Sequence, residues 1–230
     1  MDSKIIIALD FSSSAEALSL LDRLDPRSCR VKIGKELFTR YGPRLVEQVQ
    51  TLGFEVFLDL KFHDIPATVA KACSAAVDLG VWMLNVHALG GRKMLQEARK
   101  IVPENGPTRL IAVTILTSMK NEDLPAIGLA GDAQENVQLL AQLTADCGLD
   151  GVVCSAQEAP RLREMQGNNF LLVSPGIRPS WAATNDQNRI TTPSQAIENG
   201  VDYLVIGRPI TQAENPEKAL MDINESIATL

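Results

Sequence analysis

Short apolar runs alternate with longer amphipathic stretches along the whole chain. The apolar runs are rich in Ile, Val and Leu, which is the pattern of strands buried on both faces. We predict eight strands, at residues 4–9, 29–33, 54–61, 81–87, 109–115, 151–155, 170–174 and 203–206. The first five begin about 25 to 28 residues apart, which leaves room for a helix and two short loops between strands.

The stretches between strands carry apolar residues at helical spacing, most clearly at 15–24, 44–52, 67–79 and 136–147. Gly53, Gly80 and Gly148 follow three of these stretches, where a left-handed C-cap favours glycine. Eight strands alternating with eight helices in 230 residues predict an α/β protein, a single (β/α)8 barrel over residues 1–230. A doubly wound open sheet is the alternative, but no G-x-G-x-x-G follows the first strand.

The densest group of charges follows the third predicted strand. Asp59 and Lys61 are two residues apart and therefore share one face of a regular strand, while the apolar residues between them line the other. Asp64 follows in the turn, and Pro66 suits the first position of the next helix. Such a cluster is costly to bury and usually marks chemistry, although a surface ion-pair network is the alternative.

Other polar residues also stand where predicted strands end. In a (β/α)8 barrel the active site lies at the carboxyl ends of the strands, so these residues are candidates for it. They are Asp10, Lys32, Asn85, His87, Thr117, Ser118, Arg178 and Arg208. The connections at 116–132 and 175–193 are long for this fold, as binding loops and lids often are.

The connections after strands seven and eight predict a phosphate site. Gly176 and Gly207 allow backbone N–H groups to approach an anion, and Arg178 and Arg208 can each bind its oxygens through two donors. Gln187, in the same long loop as Arg178, could add an amide donor. For either turn taken alone, the alternative is that its glycine and arginine belong to an ordinary loop turn that binds no ligand.

The neighbours of Lys61 indicate its chemical role. A Schiff-base lysine must be neutral, whereas Asp59 and Asp64 favour the protonated form of Lys61. Lys61 is therefore expected to act as a proton donor or as a cation facing a developing negative charge. Lys32 adds a second ammonium group, and a divalent metal would prefer carboxylates without two ammonium groups beside them. For His63 and His87 we expect hydrogen-bonded support rather than catalysis or metal binding.

Composition narrows the function classes. The formal net charge is −6 with no basic run, which argues against nucleic acid or an anionic membrane as a partner. No apolar run is long enough to cross a bilayer, and the N-terminus does not have the form of a signal peptide. The four cysteines lack metal-type spacing and are expected to be reduced thiols. We therefore expect a cytoplasmic protein.

With these residues in view, the chain resembles the orotidine 5′-phosphate decarboxylase family in its bacterial form. The motif Asp59-x-Lys61-x-x-Asp64 is the most specific part of the likeness. Further matches lie at residues 7–10, 31–36, 57–66, 116–118, 175–179 and 205–209. The resemblance implies a (β/α)8 barrel that decarboxylates orotidine 5′-phosphate to UMP in pyrimidine synthesis, without a metal or cofactor.

The resemblance also implies a role for each site residue. Lys61 would protonate C6 of the pyrimidine, Asp59 would face the substrate carboxylate, and Lys32 would hold Asp59 and the ribose. Asp10 would bind ribose hydroxyls, and Asp64 would reach into the site of the neighbouring subunit of a homodimer. The further ligand contacts would be Thr68, Thr117 and Ser118, with Gln187, Gly207, Arg208 and Arg178 on the phosphate and residues 175–190 closing over it.

Three other functions remain open at this stage. A Mg2+-dependent sugar-phosphate decarboxylase or synthase of the same superfamily shares Asp-x-Lys-x-x-Asp, but its relatives carry Glu where Lys32 stands. A Schiff-base aldolase using Lys61 is disfavoured by the flanking carboxylates. A non-catalytic sensor of a phosphorylated ligand would be expected to have lost part of the alternating array Lys32–Asp59–Lys61–Asp64, yet all four members are present.

Overall fold

Eight parallel strands close into one barrel in the computed structural model, which describes residues 3–182 and 191–228. Neighbouring strands follow chain order, and Ile5 of the first strand pairs with Leu204 of the last. The predicted (β/α)8 barrel is thereby confirmed. The strands are β1 Ile5–Ala8, β2 Arg30–Gly34, β3 Val56–Phe62, β4 Met83–His87, β5 Arg109–Val113, β6 Gly151–Val153, β7 Leu171–Ser174 and β8 Tyr203–Ile206.

Helices surround the barrel and connect the strands. The described residues form ten α-helices instead of eight, because β2 and β8 are each followed by two. They are α1 Ser14–Leu21, α2 Lys35–Tyr41, α3 Pro43–Thr51, α4 Pro66–Asp78, α5 Gly91–Ile101, α6 Ala133–Asp146, α7 Ala159–Gln166, α8 Pro193–Glu198, α9 Arg208–Thr211 and α10 Pro216–Ala228. Pro66 begins α4 as predicted, and none of these helices is both long and apolar enough to cross a membrane.

The two long connections have their own local structure. The segment between β5 and α6 contains two short 3-10 helices, Asn121–Asp123 and Pro125–Ile127. The segment after β7 is joined at its base, where the Arg178 N–H donates to the Thr191 carbonyl over 3.0 Å. Residues 183–190 of this segment, including Gln187, lie outside the described residues.

The core has two layers that leave only one end of the barrel open. A large apolar cluster fills the space between strands and helices, and a smaller one built on Phe57 and Met83 fills the barrel interior. At the amino ends of the strands Arg30 closes the interior, with its guanidinium 4.2 Å from the Trp82 ring and 5.3 Å from the Tyr203 ring. The carboxyl ends of the strands remain available for a site. All four cysteines are free and buried.

Arg163 of α7 holds the two strands that lead into the predicted phosphate loops. Its guanidinium donates to the carbonyl oxygens of Gly200 and Phe170 and to the Asp202 carboxylate, the last over 2.7 Å. The same Asp202 oxygen accepts the Leu172 N–H of β7 over 2.7 Å. One partly buried cation therefore fixes the start of β7 against the start of β8.

We predict that Arg163→Met lowers the free energy of unfolding by about 2–4 kcal/mol, because Asp202 and two carbonyl oxygens lose a partly buried partner. Arg161 on the same helix is a matched control, since its ion pair with Glu164 is exposed. Arg161→Met should change stability by less than about 0.5 kcal/mol. Urea unfolding of both variants measures the difference, and equal effects would contradict the assigned role of Arg163.

Candidate active site

The end of β3 departs from a regular strand. Leu58 pairs with Leu84 and Phe62 with Val86, so β3 advances four residues while β4 advances two. Lys61 within this bulge has φ of 53°, and it is the one non-glycine residue of the described chain with positive φ. The prediction of a regular strand at this point is wrong, because the extra residues of β3 form a bulge. Bulges are often found beside active sites.

The bulge nevertheless leaves the polar and the apolar side chains of β3 on different sides of the strand, as predicted. Leu60 and Phe62 pack against the apolar cluster between strands and helices. Asp59 and Lys61 meet each other instead, with Lys61 Nζ 2.6 Å from Asp59 Oδ1. The polar pair therefore lies at the mouth of the barrel and the apolar pair outside it.

Lys32 of β2 extends this pair into an alternating row of charges. Its Nζ lies 3.4 Å from Asp59 Oδ2 and 3.2 Å from Asp10 Oδ1. The side chains of Lys32 and Asp59 are only 11% and 12% exposed, whereas that of Asp10 is 70% exposed. The row Asp10–Lys32–Asp59–Lys61 thus runs from the rim into the barrel mouth.

The ionisation of Asp59 is set by competing effects. Burial raises the pKa of this carboxyl, but the charges of Lys32 and Lys61 and the hydrogen bonds from Lys61 and Asn85 outweigh burial and hold the pKa below its usual value. Asp59 is therefore an anion at neutral pH. An anion here compensates two ammonium groups that would otherwise repel each other.

Asn85 of β4 is a site residue to which the sequence analysis assigned no role. It is fully buried, its Oδ1 accepts the Lys61 backbone N–H over 2.7 Å, and its Nδ2 donates to Asp59 Oδ1 over 2.7 Å. The sequence does contain one sign of this role, a single amide side chain within the apolar strand Met83–His87. The sequence does not show which groups that amide would meet.

Asp64 does not join the row within this chain. It was expected to extend the array beside Lys61, but no ion pair links these two described residues, and Asp10 occupies the fourth place. The Asp64 carboxylate is exposed and accepts the Ile65 N–H over 2.6 Å. Thr68 is also exposed, in the first turn of α4. Neither residue lines the large cavity at the barrel mouth that is described next.

A cavity of about 700 Å³ connects the row of charges to the loops after β7 and β8. Seven predicted site residues line it: Asp10, Lys32, Asp59, Gly176, Arg178, Gly207 and Arg208. Lys61 is not in its wall but contacts Asp59, which is. Sequence reasoning did not identify Glu16 and Gln212, which also line the cavity.

The loops after β7 and β8, which form the far wall of the cavity, each carry a glycine that lines it. Gly176 has φ of 78°, a conformation that favours glycine. A Cβ on Gly207 would lie 3.6 Å from Ala8 Cβ and 3.8 Å from Asp10 Oδ2, so a side chain there would intrude on the cavity. Arg178 is buried in the cavity wall, and Arg208 is partly exposed.

Thr117 and Ser118 are not brought to this cavity. Both are exposed in a turn after β5, closed by the Met119 N–H donating to the Leu116 carbonyl over 2.9 Å. Gln187, the remaining predicted contact, lies in the part of the chain that the structure does not describe.

Two histidines stack beside Lys61. The rings of His63 and His87 are 5.3 Å apart and nearly parallel, and His87 Nδ1 accepts the Leu89 N–H. Burial, followed by the charges of His63, Lys61 and Lys35, lowers the pKa of His87 to about 4. His87 is therefore neutral at pH 7 and adds no third positive charge beside Lys61. No cluster of three or more His, Cys, Asp or Glu suited to a metal occurs among residues 3–182 and 191–228.

The fold and the site define a (β/α)8-barrel protein with an alternating charged array at the carboxyl ends of its strands. The model of the "Orotidine 5'-phosphate decarboxylase / HUMPS family" matches residues 3–223, and the chain belongs to this family.

Known proteins similar to this chain support the assignment. It is 62% identical to the orotidine 5′-phosphate decarboxylase of Nitrosospira multiformis over 98% of this chain and 94% of that protein. It is 56% identical to that of Aliivibrio fischeri over 100% of this chain and 99% of that protein. The crystal structure of orotidine 5′-phosphate decarboxylase from Lactobacillus acidophilus superposes with a TM-score of 0.87 at 36% identity, over 98% of this chain and 99% of that one.

Proposed function

We propose that this protein converts orotidine 5′-phosphate to UMP and carbon dioxide without a metal or an organic cofactor. The observation that carries the proposal is the array Asp10–Lys32–Asp59–Lys61 at one end of a cavity whose other end holds Arg178 and Arg208. A substrate with a carboxylate at one end and a phosphate at the other matches this distribution of charge. The family and its named relatives add independent support.

The phosphate end of the cavity provides binding. Arg178 and Arg208 each carry a planar guanidinium that can donate two hydrogen bonds to phosphate oxygens. Gly176 and Gly207 both line the cavity and have no side chain that would keep a phosphate from their backbone N–H groups. The family resemblance adds Gln187, which lies outside the described residues, as a further amide donor. Asp10 and Lys32, at the rim, would bind the ribose hydroxyls.

The array provides the chemistry. Cleavage of the bond between C6 and the carboxylate leaves its electron pair on C6 as carbon dioxide departs. The pyrimidine π system does not delocalise this pair, so the protein must supply a nearby positive charge and a proton. Lys61 Nζ would supply both, transferring a proton to C6 and recovering one from water.

Asp59 has two parts in this mechanism. As an anion 2.6 Å from Lys61 Nζ, it holds the position of that ammonium group through an ion pair. It would also lie against the substrate carboxylate, and repulsion between the two anions is relieved as neutral carbon dioxide leaves. Enzymes lower barriers by about 8–23 kcal/mol, so one ammonium group is not sufficient. Binding of the distant phosphate would contribute by orienting the ring.

Lys32 and Lys61 argue against a Mg2+-dependent reaction. Both ammonium groups lie within 3.4 Å of Asp59, where a divalent cation would have to bind. A cation at this position would meet two like charges before it met a second carboxylate. For this reason the Mg2+-dependent sugar-phosphate decarboxylase or synthase ranks only second among the candidate functions.

We predict rapid loss of the near-ultraviolet absorbance of orotidine 5′-phosphate with purified protein in buffer containing EDTA. Lys61→Ala should lower kcat by at least about 100-fold, because it removes a general acid that contributes about 10²–10⁴. Lys218→Ala is the matched control, since Lys218 is exposed on α10 in a surface pair with Asp222. Turnover that requires Mg2+ would favour the second candidate, and no turnover in either buffer would contradict the proposal.

We also propose that the active form is a homodimer in which Asp64 completes the site of the neighbouring subunit. The support is geometric: Asp64 and Thr68 are exposed on one side of the mouth, and Ile65 between them is 66% exposed. A large apolar side chain beside an outward carboxylate suits burial against a second copy. Across a two-fold axis, the partner's carboxylate would then meet Lys61.

Mixing two inactive variants tests this arrangement. Lys61→Ala and Asp64→Ala, allowed to exchange subunits, form hybrid dimers with one intact site and one doubly altered site. Statistical exchange of equal amounts should restore activity to about a quarter of all sites. Hybrids that form but remain inactive would show that Asp64 acts within its own chain.

A further inference from the structure

We propose that Asn85 is a positioning residue that holds Lys61 and Asp59 in their reactive arrangement. The inference rests on the proposed function for its kinetic consequence, but its structural basis is independent of the substrate. No other side chain hydrogen-bonds both members of the Asp59–Lys61 pair among the described residues.

Asn85 acts first on the backbone of Lys61. Positive φ is unfavourable for a residue with a side chain, and it persists only where surrounding contacts impose it. At φ of 53°, the Lys61 N–H points to Asn85 Oδ1 at 2.7 Å. This bond secures the conformation that turns Lys61 out of the regular strand, and it therefore sets the direction in which the side chain leaves the backbone.

Asn85 acts also on the carboxylate of Asp59. Its Nδ2 donates to the same oxygen, Oδ1, that receives Lys61 Nζ. Lys32 approaches the other oxygen. Contacts to both oxygens restrict rotation of the Asp59 carboxylate. The Lys61 ammonium group can therefore bond to Asp59 in only one position.

The amide is chemically suited to this place. One Asn side chain is both an acceptor and a donor and carries no charge. A leucine of similar size would leave the Lys61 N–H without an acceptor and Asp59 without a donor. An ionised aspartate would place a second carboxylate beside Asp59, within reach of Lys61 and Lys32. Only a neutral group with both functions satisfies Lys61 and Asp59 together.

The test compares Asn85→Ala with Asn224→Ala. Asn224 is partly buried in α10 and, like Asn85, uses its amide to bridge two groups, the Ser28 and Leu220 carbonyl oxygens. It contacts the chain just before β2 begins, away from the carboxyl ends of the strands that carry the array, so its loss should cost stability without changing kcat by more than about twofold. Asn85→Ala should lower kcat by about 100-fold, because a misplacement near 1 Å has that effect. It should change the Kd of UMP by less than about threefold, since the phosphate site is untouched.

Asn85→Asp provides a second readout that a purely structural role would not affect. When neutral, the introduced carboxyl can accept the Lys61 N–H and donate to Asp59, as the amide does. When ionised, it repels Asp59 and can no longer donate. The ratio of variant to unmodified kcat should therefore fall as pH rises through the titration of that carboxyl. A ratio independent of pH would contradict the inference.

A structure of unliganded Asn85→Ala separates this inference from the proposed function. We expect Lys61 to leave positive φ and its Nζ to move away from Asp59. Retention of both features, or kcat within threefold of the unmodified protein, would overturn the role of Asn85. If Asn85→Ala does not fold, the pH dependence of Asn85→Asp decides. Failure of the unmodified protein to turn over orotidine 5′-phosphate would instead reject the function and leave the structural result standing.

Discussion

The structure of the site depends on one buried anion, the carboxylate of Asp59. Two ammonium groups and one amide converge on it, at 2.6 Å from Lys61, 3.4 Å from Lys32 and 2.7 Å from Asn85. An isolated charge at this depth would be strongly unfavourable, as would two unpaired ammonium groups. Each member of the cluster therefore makes burial of the others possible. A mutual requirement of this kind explains why the charges alternate in sign.

The barrel supplies the fixed positions that such a cluster needs. Asp59 and Lys61 come from β3, Lys32 from β2 and Asn85 from β4, so three adjacent strands contribute. At the other end of the barrel Arg30 and its aromatic neighbours close the interior. The arginines of the cavity follow β7 and β8, and β8 pairs with β1 in the closed sheet. The charged row and the two arginines that line the cavity are thus held by different strands of one closed sheet.

Much of this arrangement follows from sequence patterns, and the exceptions have physical causes. Alternating apolar runs were sufficient to predict the barrel, because burial on both faces gives strands a clear signature. The positions of Asp59 and Lys32 at strand ends were also sufficient to bring them together, since parallel strands end at one rim. The bulge at Lys61 could not be predicted, because its positive φ is imposed by Asn85 from another strand. Partners 24 residues apart are not visible in a local pattern.

The place of Asp64 shows a different limit. Its spacing from Lys61 suggested a neighbour within the chain, yet the turn before α4 directs it outward. Spacing identifies which residues are close along the chain but not the direction in which each side chain points. The helices added after β2 and β8 were likewise missed, because α2 and α9 are short and contribute few apolar positions of their own.

The most direct test of the account is the ionisation of Asp59, followed by carbon-13 NMR of labelled side-chain carboxyls and assigned with Asp59→Asn. Flanking by Lys32 and Lys61 predicts that the Asp59 carboxyl has a pKa below that of an ordinary aspartate, which is about 3.9. An Asp59 signal that titrates at or above pH 4 in the folded protein would contradict the claim. The carboxylate would then not be the anion around which the site is organised.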